Sequence, residues 1–155
     1  MAERDELTKI AYEMQAYREQ AQLIQQQMAN LQLNYNSVES AIETLNNIRK
    51  LSSKEEALLP IGSGAYIKAK VESTEVALID VGAGVIVEKP IPEAVQFLNS
   101  RMKDMDSLRE KLQTNFEDVS RRMKGLEESA NKLMEKIKTS SAPPPKSKDA
   151  EEEYR

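Results

Sequence analysis

The chain has 155 residues, of which 31% are charged, 39% hydrophobic and only 5% aromatic, with a formal net charge of −4 and no cysteine, histidine or tryptophan. That is too little bulky apolar mass for a thick core, and long helices that each bury one narrow stripe suit it better. Disulfides, iron–sulfur clusters, thiolate or imidazole metal sites, cysteine nucleophiles and an imidazole base are all excluded, and the acidic balance speaks against nonspecific nucleic-acid binding.

From Leu7 the apolar residues step by three and four without a miss: Leu7, Ile10, Met14, Tyr17, Ala21, Ile24, Met28, Leu31, Tyr35, Val38, Ile42 and Leu45. This alternation averages 3.5 residues, the period at which helices supercoil around a partner. No Gly or Pro interrupts it, so a first helical arm is predicted over 5–50, roughly 65–70 Å long at 1.5 Å per residue. No run of about eighteen apolar residues occurs here or elsewhere, so no membrane span is expected. The opening MAERDELTKI has no apolar signal-peptide stretch. A cytoplasmic location is the expectation.

An island over 57–90 obeys a different period. In AYIKAKV, Ala65, Ile67, Ala69 and Val71 alternate with Tyr66, Lys68 and Lys70, the mark of a half-buried strand. Val76–Val81 reads as a more buried strand and Val85–Lys89 as a further one, while Leu58–Gly62 makes an earlier edge strand that tolerates Pro60. Two successive β-hairpins result. So small a sheet cannot bury its apolar face alone and should pair with other subunits; Ile67, Ala69, Val71, Leu78 and Val85 are the residues expected in that contact.

The turn Gly82-Ala83-Gly84 raises the question of a phosphate loop. A dinucleotide loop needs a third glycine where Val87 stands and a helix after the turn, but Val-Ile-Val follows, and no Gly-Lys-Ser/Thr completes a P-loop. Gly82 and Gly84 are therefore read as turn glycines. No cofactor, metal or catalytic residue is expected. Acidic pairs such as Glu55-Glu56 and Glu127-Glu128 are solubilising charge.

Pro92 and Glu93 form a sound helix start for a second arm over 92–138. Its stripe is Val95, Leu98, Met102, Met105, Arg109, Leu112, Phe116, Val119, Met123, Leu126, Ala130, Leu133 and Ile137, broken only at Arg109, where Leu108 is placed to cover the seam. Residues 139–155, with three consecutive prolines and scattered charge, read as a disordered tail.

Arms of equal length around a compact insert suggest an α+β fold: a long antiparallel coiled-coil hairpin with two β-hairpins at its base. Leu45 then lies near Val95, Leu31 near Arg109 and Leu7 near Leu133. Arms that pair with other chains would keep the stripes and lose this register. At the far ends Leu7, Ile10, Met14, Leu126, Leu133 and Ile137 either close the coil or, when it frays, join off-seam Tyr12 and Met134 in an adaptable apolar surface. Leu23 and Leu33 also fall off the seam.

The run LLPIGSGAYIKAKV followed by EVALIDVGAGVIVEKPIPEAVQFL closely resembles the prefoldin family in its alpha-subunit, archaeal-type form. Leu59-Pro60-Ile61-Gly62, the Tyr66 strand, the Val81–Gly84 turn and the Glu88-Lys89 exit carry the likeness, and the second hairpin separates alpha-type from beta-type subunits. The resemblance implies a hexamer of two alpha and four beta subunits whose hairpins join in an intersubunit β-barrel. It also implies an ATP-independent holdase that captures nonnative clients and passes them to a group II chaperonin. The rival reading is a coiled-coil scaffold for one defined partner, which would require a sharp groove with anchor residues.

Overall fold

The computed structural model of the protein describes residues 2–51 and 55–140. In chain order it has helix α1 (Ala2–Ile48), strands β1 (Glu56–Gly62), β2 (Ala65–Lys70), β3 (Val76–Asp80) and β4 (Ile86–Pro90), and helix α2 (Ile91–Ser140). The element ends differ in detail from the sequence reading. Helix α1 already begins at Ala2 and stops at Ile48, where the amides of Lys50 and Leu51 reach back only three residues, to the carbonyls of Asn47 (2.9 Å) and Ile48 (3.0 Å), and tighten the chain out of the helix. Helix α2 starts at Ile91, so Pro92 is its second residue, still among the positions whose N–H has no helical partner. It also includes Thr139 and Ser140, assigned above to the tail; the Thr139 hydroxyl donates to the Glu135 carbonyl at 2.9 Å and helps satisfy the last turn. The rest of the expected tail, 141–155, lies outside the described residues.

All twelve stripe residues of α1 are buried or half-buried, and so is every stripe residue of α2 except Arg109. The chain divides into two compact units, Met1–Gln25 with Thr114–Arg155, and Gln26–Gln113. In the first, the helices are tied where Arg122 Nη1 donates to the Tyr17 hydroxyl at 3.2 Å. In the second, Ile79 of β3 with Ala94 and Leu98 of α2 forms the core, packed against Val38, Ala41, Ile42 and Leu45 of α1 and against Ala77 and Phe97. Within each unit the contacts lie within about a turn of the antiparallel register that sets Leu45 beside Val95.

Strands β1 and β2 form one two-stranded antiparallel sheet and β3 and β4 another. The two hairpins are a tandem repeat: Glu55, Ala57, Leu58, Gly62 and Gly64 recur twenty residues later as Glu75, Ala77, Leu78, Gly82 and Gly84. The geometry repeats as well. Leu59 pairs with Ile67 as Ile79 pairs with Val87. The Val71 amide closes on the Glu55 carbonyl at 3.2 Å as the Ile91 amide closes on that of Glu75 at 2.9 Å. The turns follow the same left-handed path, with φ of 107°, 50° and 76° at Gly62-Ser63-Gly64 and 118°, 53° and 74° at Gly82-Ala83-Gly84. The value near 110° is open only to glycine, whereas the central position admits a small side chain.

Candidate functional site

Among the described residues no group of three or more acidic side chains stands close enough to hold a metal ion, and no helix is long and apolar enough to cross a membrane. The Gly82–Gly84 loop is closed on itself: the Gly82 amide donates to Asp80 Oδ1 at 2.8 Å, the Val85 amide to the Gly82 carbonyl and the Val81 amide to the Val85 carbonyl, both at 2.9 Å. Strand β4 follows it, not a helix N-terminus. These amides are therefore spent within the turn rather than directed at a phosphate. What the chain does present is apolar surface.

That surface is concentrated on the hairpins. In the second hairpin the face carrying Ala77 and Ile79 rests on the helices, and Ile79 is only 8% exposed. The opposite face is open, with Leu78 at 71% and Ile86 at 64%. The first hairpin has no comparable cover, and Leu58, Leu59, Ile61, Tyr66 and Ile67 are all exposed. The half-buried character expected of the strand through Ile67 is therefore not met within one chain; Ile67 is 48% exposed. Of the other residues expected in subunit contact, Ala69 and Val71 are half-buried, while Leu78 and Val85 are exposed. Leu58, Leu59, Ile61 and Tyr66 were missed by the sequence reading. Their signal was present in Leu58-Leu59, two consecutive apolar residues that must point to opposite faces of a strand.

In the unit formed by the chain ends, Leu7, Ile10, Met14, Leu126, Leu133 and Ile137 all sit half-buried in the seam. Tyr12 (75% exposed) and Met134 stand outside it, as Leu23 and Leu33 do elsewhere on α1. The Tyr17–Arg122 bond lies in this unit, and the phenol oxygen beside the guanidinium holds Arg122 above its ordinary pKa.

At the break in the α2 stripe, Leu108 is exposed and does not cover the seam. The gap is closed differently. Arg109 sets its guanidinium 5.7 Å from the centre of the Tyr35 ring while pairing with Asp106 at 2.8 Å. A cation over a ring face can thus occupy a seam position that an aliphatic side chain would otherwise fill. Arg109→Ala is expected to lower the stability of the chain by about 0.5–1 kcal/mol, read from thermal unfolding; an unchanged melting curve would mean that the ring contact is incidental.

Comparison with known proteins gives a consistent picture. The family model for prefoldin subunits matches residues 17–136. The prefoldin alpha subunit of Pyrococcus horikoshii is 34% identical over 132 residues, which cover 84% of this chain and 89% of that one. That of Thermofilum pendens is 31% identical over 121 residues, 78% of this chain and 94% of the other. Among solved structures, filamentous PFD from Methanocaldococcus jannaschii shares the fold with a TM-score of 0.66 at 21% identity, covering 74% of this chain and 95% of that one.

Proposed function

The chain belongs to the prefoldin family as an archaeal-type alpha subunit, and on that premise we propose that it works in the cytoplasm in a hexamer of two alpha and four beta subunits. Its function is that of the family: an ATP-independent chaperone that delivers nonnative clients to a group II chaperonin. It is not an enzyme. The observation that carries the assembly reading is the first hairpin, a ribbon with large apolar side chains exposed on both faces. An isolated two-stranded ribbon of this kind is marginal in water, and closure into a barrel with strands of other subunits would remove both its wet faces and its edges. Ile67, Ala69, Val71, Leu78 and Val85 are assigned to those intersubunit contacts.

Clients are assigned to the chain-end unit. Tyr12 and Met134 are exposed there, and fraying of the terminal turns would add Leu7, Ile10, Met14, Leu126, Leu133 and Ile137. Such a surface suits a holdase, since many clients require a contact that adapts rather than a pocket that selects.

Native mass measurement of the chain mixed with a beta-type subunit tests the assembly, with two alpha and four beta chains expected. Ile67→Pro removes the β2 amide that completes the ladder opposite Leu59 and should abolish the hexamer while leaving the helical far-UV signal mostly intact. A hexamer that survives this change would place the contacts elsewhere. Client protection should also be the same with or without ATP, ADP or a chelator; micromolar ATP binding by calorimetry would overturn that.

A further inference from the structure

The chain-end unit changes character at one level along its seam. Outward from Tyr17 and Arg122, the stripe residues of α1 (Leu7, Ile10 and Met14) and those of α2 from Met123 onward are only half-buried. Just inward, Ile24 is 6% and Val119 4% exposed. At the boundary Arg122 Nη1 donates across the helices to the Tyr17 hydroxyl at 3.2 Å. Arg121, next to it, turns instead to Asp118 on its own helix at 3.4 Å. The Tyr17 ring is half-buried in the seam, so packing already fixes the acceptor and little side-chain freedom remains to be lost in making the bond.

We infer that Tyr17 and Arg122 form a clasp that sets the inner limit of opening at the chain ends, and with it the length of apolar seam offered to a client. Opening from a free end proceeds turn by turn, and outside the clasp each turn gives up only half-buried contacts. At the clasp the next step must break a charge-assisted hydrogen bond. The step after it must uncover Ile24 and Val119, whose enclosure is nearly complete. The cost of opening therefore rises at this level, and fraying halts there. The six seam residues assigned to clients all lie outward of it. The link to clients rests on that assignment; the clasp itself does not.

Amide hydrogen exchange of the full-length chain, read by mass, tests the clasp without any client. Tyr17→Phe keeps the ring and removes the acceptor. Protection over 17–24 and 116–123 should fall about threefold to tenfold, the worth of one net hydrogen bond, while protection over 31–45 stays unchanged. Arg122→Met, which keeps an unbranched chain without the charge, should have the same effect. The double variant should lose no more than either single one, as partners in one contact do. No change on Tyr17→Phe, additive losses, or an equal loss over 31–45 would each overturn the clasp. Hexamers carrying Tyr17→Phe should in turn suppress client aggregation at a lower concentration, since a longer seam opens. Altered exchange with unaltered client protection would overturn the assignment of clients to the chain ends and leave the clasp standing.

Discussion

Hexamers whose alpha subunits lack residues 1–14 and 126–155 are expected to assemble normally and to lose much of their ability to suppress client aggregation. Assembly should survive because the hairpins and the core of Ile79, Ala94 and Leu98 lie in the unit Gln26–Gln113, which the truncation does not enter. The cut also spares the Tyr17–Arg122 bond, a cross-helix tie in the chain-end unit. What it removes is every residue assigned to client contact. In the folded chain six of these are half-buried and two exposed, Tyr12 and Met134. The six become available only as the ends open, which terminal turns do at little cost because they lack part of their hydrogen bonds and neighbours. Removing 139–155 alone should change little, since Tyr154 is the single large apolar side chain in that stretch. Light scattering of an aggregating client at matched hexamer concentration measures the effect of each truncation. Equal protection by the doubly trimmed and intact hexamers would move the binding surface away from the chain ends.

The second large effect separates two neighbouring residues of one strand. Ile79→Ala is expected to destabilise the isolated chain by about 2–5 kcal/mol, the range for truncating a buried aliphatic side chain. Leu78→Ala should stay within about 0.5 kcal/mol there, as surface substitutions do. Ile79 is 8% exposed at the centre of a core with few other fully enclosed residues, so the cavity has little else to close it. Leu78 points the other way, next in sequence yet on the open face. In the presence of the beta-type partner the ranking should reverse in kind: Leu78→Ala weakens assembly while leaving the unfolding of the lone chain unchanged. Denaturant titration of the chain alone and native mass measurement of the mixture read the two effects separately. Equal losses from both substitutions in the isolated chain would mean that the second hairpin is covered on both faces.

Much of the molecule is determined by local pattern. The 3.5-residue stripe from Leu7 to Leu45 places twelve buried or half-buried residues of α1, because a helix buries whatever its period brings to one side. The strand alternation, the turn at Gly82-Ala83-Gly84 and the family wording around Leu59–Gly62 are likewise local, each needing only neighbours in sequence. Tertiary packing decided the rest. The seam break at Arg109 is closed by Tyr35 on the other helix rather than by adjacent Leu108, since i and i+1 on a helix point in different directions and the ring lies opposite. That β3 rests on the helices through Ile79 while the equivalent Leu59 of the repeat stays open depends on which hairpin meets the cluster of Val38, Ile42 and Leu45. The repeat itself could be read from five identical residues, but only the shared register, turn path and base closure show that the two hairpins are one module. Their alternation is alike in sequence; the burial that distinguishes them arises from contacts with residues distant along the chain, which no local period encodes.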